Sequence, residues 1–120
     1  MAFPSRILGA GNSPLSSSTI CGDGATGLVA LGTTAATALQ LSAVFNAITT
    51  SAASTGVKLP PTEVGAMVGI RNDSGQTVTV YPYDTSSTIN AAAASVSLAN
   101  AKSMILFATS ATTWASVTTA

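Results

Sequence analysis

Two alternating apolar segments, separated by four turn-forming residues, dictate a β architecture for the middle of this chain. They lie within residues 57–82, VKLPPTEVGAMVGIRNDSGQTVTVYP. In Ala66-Met67-Val68-Gly69-Ile70-Arg71, the residues Ala66, Val68 and Ile70 share one face. In Gln76-Thr77-Val78-Thr79-Val80-Tyr81, Val78 and Val80 share one face, and Thr77, Thr79 and Tyr81 the other. A period of two marks a strand buried on one side. Asn72-Asp73-Ser74-Gly75 supplies the turn, since Asn and Asp bond to nearby backbone and Gly accepts a positive φ. The pattern predicts a β-hairpin to which the other strands are added.

The rest of the chain supports the same class. Short alternating segments recur at spacings of roughly 8–12 residues, the pattern of a sandwich or barrel. Strands are expected at residues 28–32, 37–41, 46–51, 56–59, 95–98, 103–109 and 114–118, with a short helical turn or bend near residues 42–45. Leu41, Val44, Phe45 and Ile48 also fit a helical face, but the Thr content favours strands. Pro60 and Pro61 end one strand, because Pro donates nothing to a ladder. The fold class expected is all-β: a single small antiparallel β-sandwich or barrel, jelly-roll-like, over residues 23–120. Residues 1–22 read as an extended N-terminal arm, with Pro4 and Pro14 forcing extension and Gly9, Gly11 and three serines loosening it. Phe3, Ile7, Leu8 and Leu15 make this arm too apolar for a plain tail. They are the interface candidates for reaching a neighbouring subunit.

Charge is the compositional outlier. Only 7% of the 120 residues are charged and the net charge is zero, against about 25% charged in an ordinary soluble domain. Aromatic residues make up 5% and much of the 47% apolar fraction is Ala, so the core is expected to be thin. Either the surface is neutral and hydroxyl-rich, or much of it is buried against copies of itself or a larger scaffold. The thin core favours the second. Arg6, Lys58, Arg71 and Lys102 are scattered, which argues against nucleic acid and against an anionic membrane surface. No secretory signal and no membrane-spanning run is expected.

Catalytic machinery is hard to assemble from these residues. There is no histidine, which removes His-based triads, His metal sites and a histidine pH switch. Asp23, Glu63, Asp73 and Asp84 are widely spaced and read as solvated turn residues. The lone Cys21 reads as a small buried apolar residue. Gly22-Asp23-Gly24-Ala25-Thr26-Gly27 matches G-x-G-x-x-G but lacks the flanking strand, the following helix and the acid about 20 residues on. It is expected to be a glycine turn. The sequon Asn72-Asp73-Ser74 reads as chance. No cofactor, no metal and no enzymatic activity are expected. Tyr81, Tyr83 and Trp114 are the candidates for an alternative function, a carbohydrate-binding β-sandwich.

A resemblance adds a specific expectation. Met1-Ala2-Phe3-Pro4-Ser5-Arg6, Gly56-Val57-Lys58-Leu59-Pro60, the Gly65…Arg71-Asn72-Asp73-Ser74-Gly75 turn, Val80-Tyr81-Pro82, Ile89-Asn90 and Trp114 follow one another in this order. Their succession resembles small structural proteins of tailed bacteriophages, in which a Gly-x-x-Leu-Pro segment, a turn, a Tyr-Pro and an Ile-Asn recur in this order. The likeness covers most of residues 30–118. It implies a virion component on the capsid surface, a decoration (cement) protein that is often trimeric, with itself and the major capsid protein as partners. A tail, neck or fibre-base protein is the alternative of the same class. The shared positions are turn and core positions, so no functional residue is carried over. No long fibre or receptor-binding extension is expected, so a host-recognition role is not.

Overall fold

Residues 72–75 do not close a hairpin; they carry the chain from one β-sheet to another. The computed structural model describes Gly11 and residues 22–120. It is all-β, with no helix among the described residues. The strands are β1 (Gly24–Val29), β2 (Leu39–Gln40), β3 (Phe45–Thr50), β4 (Gly56–Lys58), β5 (Met67–Asn72), β6 (Val78–Tyr81), β7 (Thr88–Ile89), β8 (Val96–Leu98), β9 (Lys102–Ala108) and β10 (Thr113–Thr118). Most of the expected arm, with Phe3, Ile7, Leu8, Leu15 and Cys21, lies outside the described residues.

From β1 to β9 the strands alternate between two sheets. The larger has the order β1-β3-β5-β9-β10-β7 and the smaller β2-β4-β6-β8. As far as β6, each passage from one sheet to the other and back sets a strand beside, and parallel to, the one a turn earlier. Gly24 lies beside Phe45 and Phe45 beside Gly69. On the other sheet Leu39 lies beside Val57 and Val57 beside Val80. Five of the eight strand pairs are parallel. The expectation of antiparallel pairing is therefore corrected for the N-terminal half and for β7–β10. It holds at β6–β8, β5–β9 and β9–β10, where the last strands fold back on the wound part.

Asn72 explains why the expected hairpin is absent. Its side chain is fully buried. Its Nδ2 donates to the Gln76 carbonyl at 2.7 Å and the Leu98 carbonyl at 2.9 Å. Its Oδ1 accepts from the Ser74 amide at 3.1 Å and the Ser74 hydroxyl at 2.7 Å. These bonds hold the corner open as an arc. A hairpin would set Val68 and Ile70 beside Val78 and Val80 within one sheet, with their shared face still to be covered. The arc puts the two sets on different sheets, and all four are buried in one core. Alternation specifies a strand's buried face and is the same for both arrangements.

The shared core also takes in Leu41, Ile48, Val57, Leu59, Ile89, Leu98, Met104, Leu106 and Trp114. Trp114 is wholly buried, and its Nε1 donates to the Thr62 hydroxyl at 2.9 Å. The Thr62 hydroxyl in turn donates to that of Ser87 at 3.0 Å. The glycine-rich segment is a second correction. It is expected to be a turn, yet β1 begins at Gly24 and runs through it. The pairing of β1 with β3 shifts register between Ala25 and Leu28, around Gly27 at φ +67°. A glycine takes this conformation without the steric clash a side chain would meet.

Candidate functional site

The outer faces of the two sheets differ in chemistry. On the smaller sheet Lys58, Thr79 and Ser97 stand at least partly in solvent, as an ordinary outer face requires. On the larger sheet two neighbouring outward rows are apolar. Phe45, Gly69, Ile105 and Val117 fall in one row across β3, β5, β9 and β10. Met67, Phe107 and Ala115 form the next row. The large side chains here, Phe45, Met67, Ile105, Phe107 and Val117, are between 40% and 63% exposed. Monomeric proteins seldom leave apolar side chains contiguous in this way unless the patch is used.

The face is concave at one end. A depression of about 330 Å³ lies against Gly24, Phe45, Ala47, Gly69, Arg71 and Ser103. Its depth comes from glycine. Gly69 has no side chain to fill the row, and the Phe45 ring leans over it: a β-carbon at Gly69 would lie 3.0 Å from Phe45 Cδ1. Beneath, Asn46 is buried, and its Nδ2 donates to the Ala43 carbonyl at 2.9 Å and the Gly69 carbonyl at 3.2 Å.

Charge is confined to one corner of this surface and cancels there. Arg71 Nη2 lies 2.8 Å from Asp73 Oδ1, and Nε donates to the same oxygen at 2.9 Å. The hydrogen bond to Asp73 raises the Arg71 pKa above its ordinary value. Nη1 donates to the Ala101 carbonyl at 3.0 Å. The guanidinium is thus tied to its own chain, and the face presents apolar surface with no net charge.

The remaining sequence candidates are dispersed. Asp23 Oδ1 accepts from the Val44 amide at 2.9 Å and so anchors the start of β1. Asp84 accepts from the Ser86 hydroxyl at 2.9 Å, which is the main cause of a pKa below the usual carboxylate value. Among the described residues no three His, Cys, Asp or Glu side chains cluster as metal ligands would. Tyr81 donates its hydroxyl to the Thr33 carbonyl at 3.3 Å, and Tyr83 is exposed with Lys58 Nζ 5.6 Å from its ring centre. With Trp114 buried, the three aromatics do not make one exposed platform, and the carbohydrate-binding reading loses its largest ring.

Sequence reasoning did not pick out Phe45, Met67, Ile105, Phe107 or Val117 as a surface. One signal was present in the unbroken run Met104-Ile105-Leu106-Phe107-Ala108. A strand apolar at every position is apolar on both faces. Met104, Leu106 and Ala108 fill the core, which leaves Ile105 and Phe107 outside. Comparison of the chain with models of known families, with curated proteins and with solved structures returns no match.

Proposed function

We propose that this chain is a structural protein of a virion, a decoration (cement) protein that binds the outside of a bacteriophage head as a homo-oligomer. The observation that supports it best is the neutral apolar outer face of the larger sheet. The sequence resemblance supplies the virion context, and its trimeric members make a trimer the expected oligomer. The architecture belongs to the same reading: a two-layer β-sandwich whose first half is wound as a short β-solenoid, with few charges anywhere to oppose close packing.

The mechanism is mechanical. Burying a large apolar side chain fully is worth about 1.5–3 kcal/mol. Five that are already half covered offer about 1 kcal/mol each on that scale. Much of this is offset by the entropy lost on association, so a single contact is weak. Copies joined to one another on a lattice add their contacts at high effective concentration. Whatever binds only the assembled shell stabilises it by mass action.

The test is the ratio of this chain to the major shell protein in purified particles, by quantitative mass spectrometry. A ratio of the same order as the shell subunit supports decoration. A few copies per particle would move the chain to the tail or neck, and its absence would overturn the virion reading. Particles made with the double variant Ile105→Asp, Val117→Asp report on the face itself: occupancy falls at least tenfold if this surface is the one that binds.

A further inference from the structure

We infer that the free protein pairs, through the outer face of its larger sheet, with the same face of a second copy, about a two-fold axis that runs along the strands between β5 and β9. The inference rests on the reading of that face as an assembly surface, and it names what the face meets off the particle.

The register of the sheet carries the argument. Phe45, Gly69, Ile105 and Val117 stand side by side on β3, β5, β9 and β10. The row is uneven. Gly69 lies in the floor of the depression, whereas Ile105 and Val117 are 48% and 63% exposed. A two-fold axis along the strands keeps each residue at its own level and exchanges β5 with β9 and β3 with β10. It therefore sets Ile105 of each copy against Gly69 of the other, and Val117 against Phe45. In the next row it sets Phe107 against Met67. The protruding side chain meets the position that has none, and every contact is made twice, as an isologous interface requires. A two-fold axis along the row itself would set Ile105 on Ile105 and Gly69 on Gly69, bulk against bulk and gap against gap. The axis along the strands also keeps the two sheets nearly aligned, a common way for sheets to stack face to face.

Area and charge agree with this partner. Phe45, Met67, Ile105, Phe107 and Val117 are about half exposed. At roughly 200 Å² each when fully open, they leave about 500 Å² on one copy. Two such faces bring together about 1,000 Å², the least that a specific interface needs, before the small residues around them are counted. Arg71 is paired with Asp73 on its own chain and comes to lie opposite Ser103, so like charges are not set against each other. A second copy thus fits the face in shape, extent and charge. A two-fold contact closes at two copies. The dimer is therefore a form of the free protein, exchanged for other contacts where the face is taken up on a head.

Two measurements test the pairing. Val117→Cys and Phe45→Cys are made as separate proteins in a Cys21→Ser background, mixed, and treated with a short bis-maleimide. Linked dimers holding one chain of each are expected, at least tenfold more abundant than those from either variant alone. Like residues lie three strand spacings apart across the axis, about 14 Å sideways. In sedimentation, the unaltered chain is expected to be dimeric at tens of micromolar. Ile105→Asp is expected to raise the dissociation constant at least tenfold, while Trp114 emission stays that of a buried indole. A chain that remains monomeric even at millimolar concentration would leave the face to its own chain or to a different protein and overturn the inference. Trimers, or linking of each variant alone to the same extent as the mixture, would assign another geometry and overturn it too. None of these outcomes touches the particle ratio, which tests the assembly reading separately.

Discussion

The Phe45 ring roofs Gly69 on the adjacent parallel strand, so that a glycine on the outer face of a sheet is nonetheless buried. The contact is made by the far end of a side chain that is otherwise half exposed. Gly56 is enclosed differently. A β-carbon there would meet the Thr79 carbonyl at 2.6 Å and the Tyr81 ring at 2.8 Å.

These two glycines should respond unequally to a methyl group. In Gly69→Ala the ring swings outward, at a cost below about 1 kcal/mol, because only a rotamer changes. In Gly56→Ala the backbones of β4 and β6 must move apart, and overpacking of that kind costs about 1–3 kcal/mol or more. Urea unfolding followed by Trp114 fluorescence measures both. Equal losses would mean that Phe45 is held as rigidly as a backbone carbonyl.

Asn72 is the corner on which the two sheets turn. Asn72→Ala leaves the Gln76 and Leu98 carbonyls without their side-chain donor, and about 2–4 kcal/mol of stability is expected to go. Asn72→Asp should be at least as damaging at pH 7, since a carboxylate accepts and donates nothing. Part of that loss returns at low pH, where the protonated acid again has a hydrogen to give. Stability curves of the two variants against pH separate the lost donor from the lost volume.

Trp114 is held by packing and by its bond to Thr62. Trp114→Phe keeps most of the packing but loses the donor, and about 1–3 kcal/mol is expected. Thr62→Val removes the acceptor instead and strands the indole N–H in the core, with a loss in the same range. A double-mutant cycle should find the two changes coupled, because both remove one bond.

Asp84 offers a test in acid. Its pKa is lowered first by the Ser86 hydroxyl and then by Ser87. A carboxylate whose folded pKa lies below its unfolded value stabilises the fold above the unfolded pKa, and that contribution is lost as pH falls through the folded one. The carboxylate is exposed, so the effect on stability is slight and the titration is the useful readout. In Ser86→Ala the NMR midpoint of Asp84 is expected to move up toward the ordinary carboxylate value. An unchanged midpoint would leave the Ser86 bond without a role.

Much of the local structure was legible in the residues. Val68 and Ile70, Val78 and Val80, and Met104, Leu106 and Ala108 each alternate or run as a buried strand must, and each is buried. Strand pairing was not legible. Alternation is identical for a hairpin and an arc, and nothing in it announces the parallel stacking. Asn72 was read as a turn residue, which it is. Its burial, and its bond to Leu98, depend on a strand 26 residues away.

The candidate surface divides in the same way. Composition alone establishes a chain with almost no charge, no histidine and little aromatic mass. Which apolar residues lie outside is a tertiary matter. A side chain faces solvent or core according to which side of its strand the second sheet covers, and the second sheet is set by the arcs at the ends of the strands. Phe45, Met67, Ile105, Phe107 and Val117 come from four strands scattered over 73 residues of sequence. They become one surface only because β3, β5, β9 and β10 are neighbours in register.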